Sequence, residues 1–124
     1  MKVLLVEDVD ESRRVLRAMI ERLGHRVIEA TNRKDAVKTA LDSNPDLVLM
    51  DLSMPEVDGL QAAAALRAIS NFKNMNHLPV IGITAYPETL SVDKAFRAGC
   101  DAYLRKPVDL ADLGAALRRF LRAA

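Results

Sequence analysis

The chain has very little cysteine and no long apolar run, and each of these absences excludes a class of protein. Cys100 stands alone among 124 residues, so neither an intramolecular disulfide nor a multi-cysteine zinc site can form. No apolar stretch approaches the length of a signal peptide or a membrane span. We therefore expect a cytoplasmic protein with no membrane partner, in which Cys100 is a small buried side chain.

The chain also lacks an excess of charge of either sign. Lysine and arginine together number 18, aspartate and glutamate 17, and the formal net charge is +1. Such a balance produces no overall field that would draw the protein to nucleic acid, so we expect no direct nucleic-acid partner. A composition of 50% hydrophobic and 28% charged residues is typical of a globular protein, and residues 1–124 are assigned to one domain.

The hydrophobic pattern alternates between short continuous apolar runs and helical spacing. The apolar runs predict five strands, at residues 2–6, 26–30, 47–50, 80–84 and 102–105. Amphipathic segments predict five helices, with apolar positions spanning 15–23, 36–41, 60–69, 90–98 and 113–121. Strands made of consecutive apolar residues are covered on both faces, which favours a parallel sheet wrapped by helices.

Residues with special roles at helix ends mark several of the boundaries. Asn32 and Asp109 are predicted N-caps of the second and the last helix. Gly24 is predicted to end the first helix, and Asn44-Pro45 the second. The five β/α units therefore fill the chain without a linker or a repeat.

Reactive polar side chains follow four of the apolar runs. Glu7 and Asp8 follow the first run, Asp51 the third, Thr84 ends the fourth, and Lys106 follows the fifth. If the runs are neighbouring parallel strands, these ends share one edge of the sheet, where ligands bind in such folds. Carboxylates, a hydroxyl and an ammonium group gathered there match a metal-bound phosphate, which predicts a divalent-cation and phosphoryl site.

The loop after the first strand decides between kinds of phosphate site. It reads Glu7-Asp8-Val9-Asp10 and lacks the glycines of a nucleotide or flavin phosphate cradle. Carboxylates that lie together repel one another, and Glu7, Asp8 and Asp51 stay ionised together only with a cation between them. Oxygen donors without histidine or cysteine favour a hard ion, so Mg²⁺ is expected, with Mn²⁺ as the alternative.

Each acidic residue also has an ordinary interpretation when it is taken alone. Glu7 and Asp8 are typical of a helix-capping acid pair, and Asp51 is typical of a turn. Their combination with Thr84 and Lys106 at strand ends is more specific than any of them singly.

Four motifs, in this order and spacing, closely resemble those of the response-regulator receiver domain. They are V-E-D near the start, L-V-L-M-D-L-S-M-P-E-V-D-G in the middle, I-T-A after it and Y-L-R-K-P near the end. The resemblance covers essentially the whole chain. It implies a flavodoxin-like (βα)5 fold, in which a doubly wound parallel sheet has the strand order 2-1-3-4-5. It also implies a phospho-acceptor domain of two-component or phosphorelay signalling, which is not a turnover enzyme.

Transferred residue by residue, the resemblance gives the acidic groups their roles. Asp51 matches the phospho-acceptor, and Glu7 and Asp8 match the acidic pair that holds Mg²⁺ together with it. Ser53 matches the position whose backbone carbonyl completes the metal shell. A carboxylate is a competent nucleophile toward phosphorus, so the chemistry of Asp51 fits this role.

The same resemblance implies a switch. Thr84 matches a hydroxyl that responds to the phosphoryl group, and Lys106 matches the lysine that supplies a second positive charge. Tyr103 matches an aromatic residue that turns from exposed to buried, although it also fits a half-buried strand residue. Lys106-Pro107 resembles the cis peptide bond of the family.

The implied partners are proteins. The phosphoryl donor is a histidine kinase or a histidine phosphotransfer protein, the downstream target is an unknown protein, and the domain is expected to be a monomer or a weak dimer. His25 and His77 are not needed and are expected to be solvated. We expect no output domain after the last helix, and therefore either a stand-alone regulator or a receiver from a longer chain such as a hybrid kinase.

Two other functions compete with this interpretation. An aspartate-nucleophile phosphatase would also use an aspartate with Mg²⁺, but its D-x-D motif places a second carboxylate where this chain has Ser53. A docking domain that acts independently of phosphorylation would not need the full set of active-site residues. The sequence disfavours both alternatives.

Overall fold

The computed structural model describes residues 1–52, 64, 67, 78–84 and 100–121, with the backbone alone for Arg33. The strands of this part of the chain are β1 (Lys2–Val6), β2 (Arg26–Ala30), β3 (Leu47–Asp51), β4 (Val80–Thr84) and β5 (Ala102–Arg105). Its complete helices are α1 (Asp10–Arg22), α2 (Arg33–Ser43) and α3 (Leu110–Phe120). Ala64 and Arg67 are helical, in agreement with the predicted helix at 60–69. The predicted helix at 90–98 lies outside the described residues.

All five strands are parallel and form one sheet in the order β2-β1-β3-β4-β5. The predicted order 2-1-3-4-5 is confirmed. The chain moves to one side of β1 to form β2 and to the other side to form β3, so the strand order reverses beside β1. The carboxyl ends of β1, β3, β4 and β5 consequently border the place where ligands bind in this type of fold.

Alternating side chains of the strands build a separate hydrophobic core on each face of the sheet. On one face, strand residues pack with α2, Leu52 and Cys100; on the other, they pack with α1 and α3. Every residue of β3 and β4 is buried. Burial of each large aliphatic side chain contributes about 1.5–3 kcal/mol, so the two cores hold the sheet between its helices. Cys100, 5% exposed, belongs to this core as predicted.

The predicted helix ends are confirmed. The side chain of Asn32 accepts a hydrogen bond from Asp35 N, and that of Asp109 accepts one from Asp112 N at 2.7 Å. Each such cap stabilises its helix by about 1 kcal/mol. Gly24, with φ of 92°, follows α1, and Asn44, with φ of 48°, ends α2 in the left-handed conformation.

The structure corrects details of the predicted helices and strands. Val15 was expected to face inward, but it is 56% exposed, because α1 buries Leu16 and Ile20 and the neighbouring position lies about 100° around the helix. The third strand was expected to end at residue 50, but it includes Asp51, which pairs with Ile83 of β4. Asp51 can stay in a buried strand because the ammonium group of Lys106 lies 3.2 Å from its carboxylate.

Contacts between β3, β4 and β5 fix the alignment of their ends. The Asp101 carboxylate accepts hydrogen bonds from Arg67 Nη2 at 2.9 Å and from Val80 N at 2.8 Å, which joins the starts of β4 and β5. At Gly82, a Cβ atom would lie 2.5 Å from Leu52 Cδ1. Glycine at this position therefore permits the residue after Asp51 to pack directly against β4.

Candidate functional site

The carboxyl ends of the strands bring together the five side chains that the sequence analysis selected. Glu7 follows β1, Asp51 ends β3, Thr84 ends β4, and Lys106 follows β5, while Asp8 lies in the loop between β1 and α1. Glu7, Asp51 and Thr84 are buried, with exposed fractions of 0%, 2% and 4%. Lys106 is partly buried and Asp8 is exposed, so the cluster opens to solvent on the side of Asp8.

The three carboxylates form a compact acidic cluster. One carboxylate oxygen each from Glu7, Asp8 and Asp51 lies within 4.8 Å of the others. The sheet register explains why Glu7 and Asp51 are close. Val6 of β1 pairs with Met50 of β3, and Glu7 and Asp51 are the residues that follow this pair in the two chain segments. Neighbouring strands are about 4.8 Å apart, so the sheet itself places these two carboxyl groups side by side.

Lys106 lies between the two buried carboxylates. Its Nζ is 3.3 Å from Glu7 Oε1 and 3.2 Å from Asp51 Oδ2. Its backbone N–H donates to Thr84 O at 2.8 Å, which continues the pairing of β5 with β4 beyond the end of the strand. The Lys106–Pro107 peptide bond is cis. Lys106, which follows β5, thus places its ammonium group against both buried carboxylates.

One positive charge does not fully compensate the buried acidic pair. The pKa of Glu7 is raised to about 7, chiefly by burial and then by the hydrogen bond and charge of Asp51, against the opposing effects of Lys106 and Val9 N–H. Burial by itself lowers the pKa of Lys106, but the charges of Asp51 and Glu7 outweigh it, and the net shift is upward. Without a second cation, Glu7 therefore holds a proton part of the time at neutral pH.

The cluster fits a hard divalent cation. Its donors are carboxylate oxygens, which Mg²⁺ and Mn²⁺ prefer. Burial and then Asp51 raise the pKa of Glu7, and a divalent ion in the cluster would stabilise the ionised form of this carboxyl group. Ser53, whose carbonyl was predicted to complete the metal shell, lies outside the described residues.

Two ordinary interpretations of these acidic residues are wrong. Glu7 and Asp8 do not cap α1, because its N-cap is Val9, which forms no side-chain cap hydrogen bond. Asp51 is not a turn residue, because it is a buried residue of β3. The positions of Glu7 and Asp51 are determined by the sheet rather than by local turn chemistry.

Arg13, a residue of α1, also belongs to the surroundings of this site. Its Nη1 donates to the backbone carbonyl of Glu7 at 3.1 Å, and its Nε donates to Glu29 Oε1 at 2.9 Å. It also forms an ion pair with Asp10, three residues earlier. The i,i+3 spacing of this last pair was visible in the sequence, but the contacts with β1 and β2 depend on the tertiary fold.

The residues of the predicted switch lie on β4 and β5. Tyr103 pairs with Gly82 in the sheet register, and Arg105 pairs with Thr84. Thr84 is buried beside the acidic cluster, and Tyr103 is 41% exposed. Alternation along paired strands places both side chains on the same face of the sheet, two residues apart.

A largely apolar pocket of about 440 Å³ adjoins the acidic cluster. It lies between α1 and the segment that follows β5. Its walls include Val15, Leu16 and Met19 from α1 and Lys106, Pro107 and Val108 from that segment.

Comparison with known proteins identifies the family of the chain. Residues 3–118 match the family model of the response regulator receiver domain. The chain belongs to this family. Among curated relatives, the polar-differentiation response regulator DivK of Brucella anthropi is 33% identical over 108 residues, which cover 87% of this chain and 85% of DivK.

Solved structures agree with the assignment. The receiver domain of a sensor histidine kinase of Pseudomonas aeruginosa PAO1, with a magnesium ion coordinated in its active site cleft, is 33% identical, with a TM-score of 0.87 and 98% coverage of both chains. A chain in the co-crystal structure of the Saccharomyces cerevisiae phosphotransfer protein Ypd1 and the receiver domain of Ssk1 is 25% identical, with a TM-score of 0.87. The aligned region covers 97% of this chain and 88% of that chain.

The family match confirms the resemblance seen in the motifs. This receiver domain is a phospho-acceptor module of two-component signalling rather than a catalytic enzyme, and its acidic pocket is consistent with an Mg²⁺-dependent phosphorylation site. Receiver domains interact with histidine kinases or phosphotransfer proteins. Among the described residues, none of the helices has the length and apolar character needed to cross a membrane.

Proposed function

We propose that Asp51 of this receiver accepts a phosphoryl group from the phosphohistidine of a histidine kinase or a histidine phosphotransfer protein. Glu7, Asp8 and Asp51, with the backbone carbonyl of Ser53, hold the Mg²⁺ or Mn²⁺ ion that the transfer requires. Phosphorylation then changes binding to a downstream protein. The observation that carries the proposal is the convergence of three carboxylates and the Lys106 ammonium at one sheet edge.

Asp51 is the best nucleophile of the three carboxylates. Glu7 has a pKa near 7 and is protonated part of the time at neutral pH, which weakens it as a nucleophile. Asp8 is exposed and lies in a loop, whereas Asp51 is held by β3 and contacts Lys106. In the transfer, an Asp51 oxygen bonds to phosphorus as the phosphorus–nitrogen bond of the donor breaks, and the electron pair of that bond stays on the imidazole nitrogen.

The surrounding side chains stabilise the transferring group. When bound, the divalent ion neutralises charge on the phosphoryl oxygens. The Nζ atom of Lys106 lies 3.2 Å from Asp51 Oδ2, so its ammonium group supplies a second positive charge beside the phosphorylated carboxyl group. Thr84 is buried at the end of the adjacent strand, and its hydroxyl is the group that responds to the added oxygens, with Tyr103 moving from its exposed position as the readout.

The proposal is tested by labelling the protein with acetyl phosphate in the presence of Mg²⁺. We expect one hydroxylamine-sensitive phosphoryl group for each chain, located at Asp51 by mass spectrometry and absent when a chelator is added. A parallel assay with a small phosphomonoester separates the phosphatase alternative. Sustained release of phosphate in that assay, or a label elsewhere than Asp51, would contradict the proposal.

We further propose that the phosphohistidine-bearing partner docks at the pocket between α1 and the segment after β5. The donor must bring its phosphorus within bonding distance of Asp51, so it has to cover the surface beside Lys106, where this pocket opens. Val15 is 56% exposed on that surface, and an exposed aliphatic group beside an apolar pocket is suited to a helix of a partner protein.

Replacement of Val15 by glutamate should separate docking from chemistry. We expect Val15→Glu to slow phosphotransfer from a histidine phosphotransfer protein that phosphorylates the wild type, by roughly five- to thirtyfold as for an interface hot spot. Labelling by acetyl phosphate should stay at the wild-type rate, because this donor needs no protein surface. Leu41→Glu, at an exposed site on α2, is the matched control. Equal phosphotransfer to the Val15 and Leu41 variants would refute the docking site.

The same proposal extends to the domain as a whole. Residues 1–124 are proposed to form one receiver domain, which the match over residues 3–118 and the single sheet support. The cytoplasmic location and the monomeric or weakly dimeric state stay predictions.

A further inference from the structure

We propose that Arg13 is a positioning residue for the metal ligands, because it holds the turn between β1 and α1 in the shape that places Glu7 and Asp8 for a divalent cation. The inference rests on the Mg²⁺ site of the proposed function. It concerns a residue that reaches the site from α1 through the backbone of Glu7, without contributing a ligand.

The guanidinium group of Arg13 joins three parts of the fold. Nη1 donates to Glu7 O at the end of β1, Nε donates to Glu29 in β2, and Nη2 pairs with Asp10 at the start of α1. Its side chain is only 17% exposed. Charge-assisted hydrogen bonds from a rigid, planar group fix both distance and direction. The carbonyl of Glu7 is thereby tied to α1, the helix that follows the acidic loop Glu7–Val9.

The acidic loop needs such a restraint because α1 begins without the usual one. Its N-cap, Val9, forms no side-chain cap hydrogen bond. The main chain of Glu7 is held on the sheet side by the bond from its N–H to Ala30 O, at 3.1 Å. On the helix side it is held by Arg13. Asp8 is the next residue and is exposed, so its direction depends on how firmly this peptide is oriented.

Glu29 is the anchor that keeps Arg13 in place. Its two carboxylate oxygens accept from Arg13 and from Arg17, one oxygen for each arginine. Arg17 lies one turn further along α1, and its described contacts are with Glu29 and Glu21. Each arginine carries one positive charge and contacts Glu29. Of the two, Arg13 is the one whose described contacts include Glu7 O.

This difference gives a test in which the sign of the effect is decisive. Removal of a positive charge near an acidic site should strengthen cation binding by Coulomb's law. Loss of positioning should weaken it, and changes to groups that orient metal ligands typically cost tenfold or more in affinity. Arg17→Met removes an equivalent charge beside Glu29 while leaving the tie to Glu7 intact, and it measures the charge effect alone.

The experiment compares the Mg²⁺ dissociation constants of the wild type, Arg13→Met and Arg17→Met by isothermal calorimetry on the full chain. We expect Arg13→Met to bind Mg²⁺ about tenfold more weakly than the wild type. Arg17→Met should bind it equally or slightly more tightly. With acetyl phosphate, Arg13→Met should be slow at low Mg²⁺ but reach the wild-type rate at saturating Mg²⁺, because the nucleophile and Lys106 are unchanged.

Each result decides one of the two proposals. Equal dissociation constants for the two variants, or tighter binding by Arg13→Met, would overturn the role of Arg13 while leaving the metal site standing. A wild type that binds no Mg²⁺ would overturn the metal site of the proposed function, and this inference with it. If Arg13→Met does not fold, Glu29→Met replaces it, because methionine removes both oxygens that accept from the arginines. Unchanged Mg²⁺ affinity in that variant would count against the inference.

Discussion

Asp51→Asn is expected to abolish phosphorylation of the receiver while leaving its fold intact. Asparagine has nearly the shape of aspartate, so the end of β3 and the packing of Leu52 against Gly82 should survive the change. An amide, however, offers no anionic oxygen to attack phosphorus. Label from acetyl phosphate and Mg²⁺ should therefore fall to the background level, as measured by mass spectrometry of the intact protein.

The charge change should also be visible in stability. Asp51 is buried beside Glu7, and removal of its charge relieves the repulsion that helps to raise the pKa of Glu7. Lys106 then has Glu7 as a single buried carboxylate partner among the contacts described, and we expect the metal-free variant to be at least as stable as the wild type. Urea unfolding of both proteins checks this point.

Asp42→Asn is the control for this experiment. Asp42 is an exposed carboxylate of α2, so its replacement changes the net charge by the same amount and should leave labelling unaffected. Full labelling of Asp51→Asn at another residue would show that Asp51 is not the acceptor. If Asp51→Asn also left regulated binding to a downstream partner unchanged, the domain would be a docking module that acts independently of phosphorylation.

Mg²⁺ affinity should rise steeply with pH up to neutrality and then level off. The metal requires the ionised form of Glu7, whose pKa is raised to about 7 by burial and by Asp51 in the metal-free protein. Below neutrality the proton and the ion compete for this carboxylate. We expect the Mg²⁺ affinity to fall about tenfold for each pH unit below 7, and to change little above it.

The stability of the metal-free protein should respond to pH in the opposite direction. The pKa of Glu7 in the folded state lies above its ordinary value of 4.5, so the folded protein binds a proton that the unfolded chain has lost. This stabilisation is complete below pH 4.5 and is lost as the pH rises through about 7. It amounts to roughly 1–3 kcal/mol for a single buried carboxyl group.

Thermal unfolding with and without Mg²⁺ tests both statements. With a chelator, the Tm should decrease between about pH 5.5 and about pH 8.5, and the increase in Tm caused by Mg²⁺ should be largest at the upper end. Glu7→Gln should lose most of this pH dependence, because its amide does not titrate. Comparison of the two proteins also cancels the contribution of groups such as Glu29, whose pKa is lowered by Arg17 and Arg13. An Mg²⁺ affinity that is equal at both ends of the range would contradict the assignment of Glu7.

Much of the fold could be predicted from local patterns. The continuous apolar runs located the strands because fully buried parallel strands leave no polar alternation to confuse the pattern. Asn32 and Asp109 marked helix starts because their short side chains bond to the backbone two or three residues on. The acidic pocket could also be predicted, because parallel strands bring their carboxyl ends to one edge whatever the order of the strands.

Other features depended on contacts that local patterns do not contain. Val15 has the spacing of a core residue but lies at the border of the apolar stripe of α1, and only its packing partners reveal that it is exposed. Arginine is a residue type that usually lies at the surface. The bond of Arg13 to Glu7 O depends on the register of β1 and β2, which the local sequence pattern does not give. His25 was expected to be solvated, but it is half-buried, and its Nδ1 is buried with no hydrogen-bond partner in the described part of the chain.

The position of Cys100 makes the receiver well suited to site-specific labelling. Its thiol is buried, and burial followed by the charge of Asp101 raises the pKa of the thiol to about 11. At neutral pH the reactive thiolate is therefore scarce and poorly accessible to reagents. A cysteine introduced at an exposed site such as Leu41 would react first with a maleimide dye, and fluorescence experiments could begin from the natural chain without prior removal of its own cysteine.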